Sequence, residues 1–393
     1  MAELYSLPDG WKWKKLGELT EVNIGKTPSR SKSEYFLGNK IWLSIRDLKS
    51  DYISDSNEKI TDEAIKTSNM KVIPKGTLLM SFKLTLGKTA FADCDLYTNE
   101  AIASLPIKNE NVIDKYFLKY SINVIDLEKE VDNAVKGKTL NKEKIKNLDI
   151  PLPPLEEQKR IVVNLDNLFA KIDKAIDLHQ KNIDEADIFM ASVLNDVFVQ
   201  WEEKYEKKQL NQIVIVGGKN ISTLEYPNLI YFSLEDIETQ TGKILNYKTV
   251  NESRVKGTAV SFDDNVVLYS KLRPYLNKVI VPNLEGCATT ELVVLKPKDK
   301  LDKYFLASYL RSSNIVSFLN NDSMGAKMPR TNMKTFRNLD IPLPPLQNQQ
   351  KVVAYLDEIS NKMEKIKQIQ KEKMQSLKEL KASILDKAFK GEL

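Results

Sequence analysis

The chain has 393 residues, 29% of them charged and 42% apolar, which suits two or three domains with cores of their own and excludes a disordered chain. No run approaches the ~18–20 apolar residues of a membrane span and the N-terminus has no signal-peptide apolar core, so a cytoplasmic protein with no membrane partner is expected. Cys94, Cys287 and the only histidine, His179, are too few and scattered for an ordinary zinc site.

The net charge of +5 is unevenly spread. Residues 1–146 carry 24 basic against 21 acidic side chains, 147–204 carry 6 against 12, 205–337 carry 19 against 13, and 338–393 carry 10 against 8. The basic blocks 1–146 and 205–337 suit a polyanion, and the acidic 147–204 does not.

In residues 1–146, short apolar runs such as Ile41-Trp42-Leu43 and Thr77-Leu78-Leu79-Met80 are bounded by Gly, Pro, Asn or Asp and read as strands. Trp11 and Trp13 read as packing residues near a helix end. Asp114-Lys115-Tyr116-Phe117-Leu118 reads as the opening of a helix. Next comes Asn147-Leu148-Asp149-Ile150-Pro151-Leu152-Pro153-Pro154-Leu155, and from Glu156 to Trp201 there is neither Pro nor Gly. Apolar residues recur at three-four spacing (Leu165, Leu168, Ile172, Ala175) and again at Ile183, Ala186 and Phe189, as in a coiled helix interrupted by a stutter. His179 falls on the polar, solvated side of this pattern.

Residues 205–337 repeat the first plan. Val266-Val267-Leu268-Tyr269 and Leu292-Val293-Val294-Leu295 read as strands, Tyr231-Phe232-Ser233-Leu234-Glu235-Asp236 aligns with Trp42-Leu43-Ser44-Ile45-Arg46-Asp47, and Asp302-Lys303-Tyr304-Phe305-Leu306 aligns with the helix opening at Asp114. The nine-residue proline motif then recurs unchanged at Asn338–Leu346, 191 positions after its first copy. A second breaker-free segment follows, with apolar positions Leu356, Ile359, Met363 and Ile366, then Met374, Leu377 and Leu380. About 42 residues at ~1.5 Å each give two rods of roughly 60 Å. Equal rods of opposite net charge pair most simply antiparallel. A duplicated half implies pseudo-twofold symmetry and a target with matching symmetry. The expected fold class is therefore α/β, with two mixed α/β heads (1–146 and 205–337) and two proline-motif-plus-helix segments (147–204 and 338–393) forming an antiparallel coiled coil.

Two copies of Ile-Pro-Leu-Pro-Pro-Leu, followed by Gln158 and Gln349 and leading into long helices, resemble the DNA-specificity subunits of type I restriction–modification systems. So do Leu7-Pro8-Asp9-Gly10-Trp11 with Leu16-Gly17-Glu18-Leu19, and Lys75-Gly76-Thr77-Leu78-Leu79-Met80-Ser81 with Gly87-Lys88. The resemblance covers essentially the whole chain. It implies that each head is a target-recognition domain reading one half of a bipartite double-stranded DNA site, and that the coiled coil sets the unread spacer. It implies no catalysis and no cofactor in this chain. Adenine N6 methylation belongs to two partner modification subunits, which bind S-adenosylmethionine, and cleavage to restriction subunits. Asn348 departs from the acid usual before the second glutamine, and Leu84-Thr85-Leu86 is less basic than many family loops. These touch subunit docking and groove contacts respectively.

Candidate DNA contacts lie in loops beside apolar strands: Lys83 and Lys88 around Gly87, and Lys271, Arg273, Tyr275 and Lys278 around Pro274. The alternative is a solvated basic turn. Gly87 is read as allowing a phosphate to approach the backbone. Arg46 could read a guanine or pair with Asp47 or Asp51. By the resemblance, Lys138, Lys327 and Arg330 also lie at the DNA surface. Thr98, Asn99, Thr289 and Thr290 have a turn or capping role as the alternative to base reading. Pro151, Pro153, Pro154, Pro342, Pro344 and Pro345 are expected as hinges and subunit-docking points. The rival readings are a coiled-coil scaffold with two protein-binding heads, and a self-contained methyltransferase. Against the latter, no Asp/Asn-Pro-Pro-Tyr/Phe clamp occurs, and Gly217-Gly218-Lys219-Asn220 is not a phosphate-binding loop.

Overall fold

A computed structural model describes residues 5–127, 140–325 and 327–393. The chain divides into two compact units, residues 1–177 with 373–393, and residues 178–372.

In unit one, a five-stranded sheet runs in the order Asn23–Ile24, Ile102–Leu105, Leu78–Ser81, Thr89–Ala92, Tyr52–Ile53, beside a three-stranded sheet of Glu58–Ile60, Lys40–Leu43 and Tyr97–Thr98. The central strand Leu78–Ser81 is buried at every position: Leu78, Leu79 and Met80 are apolar, and the Ser81 hydroxyl donates to the Thr85 carbonyl. Helix Lys115–Val124 is capped by the Asp114 carboxylate, which accepts from the amides of Tyr116 and Phe117. Phe117 is fully buried and packs on Phe389 at 5.0 Å between ring centroids.

Unit two repeats the scheme. Val214–Val216, Leu292–Pro297, Val267–Ser270 and Val279–Ile280 form one sheet, and Asn220–Ser222, Thr258–Phe262, Gly286–Thr289, Ile230–Phe232 and Lys248–Thr249 another. Asp302 caps helix Lys303–Arg311, and Phe305 packs edge-on to Phe198 at 5.3 Å. The expected strands and both helix openings are present.

The proline motifs are strands before they are helix leaders. Asp149–Leu152 pairs antiparallel with Lys12–Lys15, setting Trp13 opposite Pro151, and Asp340–Pro342 pairs with Lys207–Gln209. Trp13 thus packs against Tyr5 at 5.0 Å from a strand that runs straight into the short helix Leu16–Leu19, the helix end expected beside it. Pro151, Pro153, Pro342 and Pro344 are buried, while Pro154 and Pro345 are exposed. Past each exposed proline the chain turns into a long helix, Leu155–Lys204 (50 residues) and Leu346–Phe389 (44 residues).

Within each unit the two helices pack antiparallel. In unit one Asp173 meets Lys381 at 2.7 Å and Arg160 donates to the Leu393 carbonyl. In unit two Asp187 meets Lys367 at 2.8 Å and His179 hydrogen-bonds Gln370. Three details of the expected pattern are corrected. Ile366, Phe189 and Leu380 are 39%, 49% and 48% exposed, and Lys367, Met190 and Lys381 are the more buried neighbours. No stutter occurs, because the inward positions keep a strict seven-residue repeat: 162, 169, 176, 183, 190 and 197 on one helix, and 356, 363, 370, 377 and 384 on the other. His179 is half-buried on this seam rather than solvated.

Candidate nucleic-acid interface

In unit two, Ser270 donates to the Lys278 carbonyl at 3.0 Å and closes a loop over 271–278. Arg273 (φ 51°) and Asn277 (φ 50°) take left-handed conformations on either side of the short turn Pro274–Leu276. A second segment is stitched to this loop: the amide of Thr331 donates to the Lys271 carbonyl at 2.8 Å, and that of Arg273 to the Pro329 carbonyl at 2.7 Å. Arg330 and Met324 exchange two backbone hydrogen bonds of 2.8 Å. Two stretches far apart in sequence therefore gather Lys271, Arg273, Tyr275, Lys327 and Arg330, of which Tyr275, Lys327 and Arg330 are exposed. Lys278 differs from the rest. Its ammonium donates to the Leu234 carbonyl at 2.5 Å, and burial lowers its pKa against the opposing pull of Glu235 and Asp236.

The matching loop of unit one is closed by the Ser81 amide on the Lys88 carbonyl at 2.9 Å, with the Ser81 hydroxyl on the Thr85 carbonyl at 2.5 Å. Lys88 is exposed, and the Lys83 ammonium lies 5.7 Å from the Phe82 ring centroid. Leu84 stands at the loop tip with φ 63° and 75% exposure, where unit two has Arg273. Gly87 has φ 74°, and an added Cβ would lie 3.1 Å from Leu127 Cδ1, so backbone conformation by itself accounts for the glycine. Lys138 lies outside the described residues.

Arg46 sits exposed in the short turn Ile45–Asp47. Neither expected acid holds it: Asp47 accepts from Ser44 and Asn57, and Asp51 pairs with Lys119 at 2.6 Å. Asn99 takes the turn role, its Oδ1 accepting from the Ala101 amide at 3.1 Å.

Four further residues emerge only from the structure. Arg30 forks onto Glu58 at 2.5 and 2.9 Å and lies 4.3 Å from the Phe36 ring centroid and 5.1 Å from that of Trp42. Lys26 donates to the carbonyls of Ser68 and Asn69. Burial raises the Glu100 pKa, but hydrogen bonds from Thr27 and its own amide, with the charges of Lys83 and Arg30, bring it below the ordinary carboxylate value. Glu291 takes the guanidinium of Arg330 at 3.0 Å. The run Gly25-Lys26-Thr27-Pro28-Ser29-Arg30 was a usable signal for the first two, being basic and turn-rich. The acids carry no sequence signal. Among the described residues no cluster of ligand side chains could hold a metal ion, and no helix is long and apolar enough to cross a membrane.

Each unit carries a head of one plan that leads through a strand-paired proline motif into a long helix, which defines a protein built from two copies of one module. The profile of the type I restriction modification DNA specificity domain matches residues 8–185 and 202–373. The chain belongs to that family, whose members are the non-catalytic specificity subunits of these systems. Among relatives, the EcoDI specificity subunit of Escherichia coli is 23% identical over 98% of this chain and 89% of its own length. The MjaIX specificity subunit of Methanocaldococcus jannaschii is 26% identical over 100% and 95%. A chain from a structure of the assembly and conformational transition of the type I R-M system matches in fold with a TM-score of 0.73 at 22% identity, covering 99% of this chain and all of that one. The HsdS subunit from Thermoanaerobacter tengcongensis matches with a TM-score of 0.54 at 23% identity, covering 99% of each chain.

Proposed function

We propose that this subunit reads a bipartite double-stranded DNA target, one half per head, with the antiparallel helices setting an unread gap of fixed length. In this reading residues 1–146 and 205–337 are the two target-recognition domains, and 147–204 and 338–393 carry the measuring helices. It directs adenine N6 methylation by two modification subunits, which bind S-adenosylmethionine, and cleavage by restriction subunits. The observation that carries it is the contrast between halves: the same strand, cap and proline-motif scaffold occurs twice, while the loop residues differ, with Leu84 against Arg273 at one left-handed position. Like scaffolds with unlike loops suit like tasks on unlike half-sites.

The contacting residues in this reading are Lys83, Lys88, Arg46 and Lys138 in the first head, and Lys271, Arg273, Tyr275, Lys327 and Arg330 in the second. Lys278 acts by holding its loop to Leu234. The exposed Pro154 and Pro345 are the motif positions open to a partner subunit, and the buried prolines hold the strand pairing. A protein-binding scaffold without a DNA role is disfavoured by membership of a DNA-specificity family.

The test is coexpression with the cognate modification subunits and mapping of N6-methyladenine across a genome. A two-part motif of constant spacing is expected, and exchanging residues 205–337 for another head should change one half-site alone. Methylation indifferent to that exchange overturns the reading.

A further inference from the structure

Arg330 is held at both ends. Its backbone exchanges two 2.8 Å hydrogen bonds with Met324 and forms a bridge to Leu272, and the Thr331 amide beside it donates to the Lys271 carbonyl. Its guanidinium is fixed sideways: Nη2 donates to Glu291 Oε1 at 3.0 Å and Nε to Oε2 at 3.4 Å. Glu291 is anchored in turn, since its carbonyl accepts from the Lys271 amide at 3.1 Å. A guanidinium bound along its Nε–Nη2 side keeps both Nη1 protons and the outer Nη2 proton free, and these form a planar fork. The Arg330 side chain is 51% exposed, which leaves that fork accessible.

Two more arginines fork onto carboxylates: Arg30 presents its two terminal nitrogens to Glu58, so its fork is occupied, and Arg160 is side-bound to Glu157 but spends its Nη2 on the Leu393 carbonyl as well. The same backbone junction exists in unit one, where Phe82 donates to the Ala101 carbonyl at 3.0 Å and Leu140 to the Phe82 carbonyl at 3.0 Å. There the place of Glu291 is taken by Ala101, and the acid one position earlier, Glu100, accepts from the Thr27 hydroxyl. Among the described residues the arginine–acid pair at this junction thus occurs in the second head alone.

We propose that Arg330 reads a guanine in the second half-site through this free fork, donating to O6 and N7, and that Glu291 is the residue that positions it. The inference rests on the DNA-reading function proposed above. A side-bound guanidinium is biased toward one orientation before DNA arrives, which lowers the cost of ordering it on the matching base.

The test uses the complete complex with its modification subunits. Arg330→Lys keeps the charge and loses the fork, and Glu291→Gln weakens the clamp. Expected in Arg330→Lys is a methylation motif relaxed at a single guanine of the second half-site, with discrimination there falling roughly ten- to hundredfold. Glu291→Gln should relax the same position less, and the first half-site should stay as stringent as before. Independently of either variant, wild-type complex should bind more weakly to target DNA carrying 7-deazaguanine at that position, which lacks the N7 acceptor. A two-part motif that stays unrelaxed in Arg330→Lys, a uniform loss of affinity without change of sequence preference, or indifference to 7-deazaguanine overturns the assignment and leaves DNA reading intact. Absence of any two-part motif in the wild type overturns both.

Discussion

Gln158 accepts a 2.8 Å hydrogen bond from the backbone amide of Asp114, the residue whose carboxylate caps helix Lys115–Val124. Its amide nitrogen donates to the carbonyls of Val112 and Pro153, each at 2.9 Å, and the side chain is wholly buried. Gln349 does the same in unit two, accepting from Asp302 and donating to Lys300 and Pro344 at 2.8 Å each. Each glutamine ties the first turn of a long helix to its proline motif and to its head.

Replacing Gln158 with Leu leaves one amide and two carbonyls without partners in a site closed to water. The expected loss is about 2–4 kcal/mol of stability, measured by urea denaturation. A loss below about 1 kcal/mol means that the site relaxes and that the glutamine is not the tie.

The seam lysine Lys367 is only 14% exposed and pairs with Asp187 and Glu364. Burial depresses its pKa, but the two acids more than compensate and leave it raised. Asp187 and Glu364 are each 61% exposed, so loss of the ammonium leaves no buried charge behind, and Lys367→Met, which fills the seam with an apolar side chain, should leave the melting temperature nearly unchanged. A fall of several degrees would show that the pair is a net stabiliser.

Glu58 has a lowered pKa, chiefly through the hydrogen bonds of Arg30. The sign follows from a folded value below the unfolded one: the contribution is full above the ordinary glutamate value and is lost as pH falls through the folded one. Both side chains are substantially exposed, so roughly half a kcal/mol is at stake. Melting curves of wild type and Glu58→Gln should differ at pH 7 and converge at acid pH. A constant difference would count against the pair.

Removing a lysine that contacts phosphate should weaken DNA binding evenly across sequences and reduce the salt slope by about one. This is the expected result for Lys88→Ala and Lys327→Ala, both exposed. Lys278→Ala should leave the salt slope nearly unchanged and lower stability instead, because its ammonium is bound to the Leu234 carbonyl. Binding titrations at several salt concentrations separate the two outcomes.

Much of the frame was legible without coordinates. Strands, helix caps and helix lengths depend on neighbours in sequence: an apolar run between breakers, an aspartate before a helix, a long stretch lacking Pro and Gly. The duplicated proline motif gave the symmetry. The helix seam was legible only in part, because counting apolar residues passes over Lys367, Gln370 and Lys381. Their long or polar side chains occupy inward positions by pairing with Asp187, His179 and Asp173 across the seam.

The reading loops needed the tertiary structure, since their chemistry depends on which distant partner claims each charge. Composition makes Lys278 and Lys88 alike, yet folding ties one to a carbonyl and leaves the other exposed. Arg330 and Glu291 lie 39 positions apart, and only the stitching of two loops brings them into contact. Local order in the chain set the elements and their duplication. Long-range hydrogen bonding decided which donors are used up within the fold and which remain, because a donor can meet a ligand only when no folded neighbour has taken it.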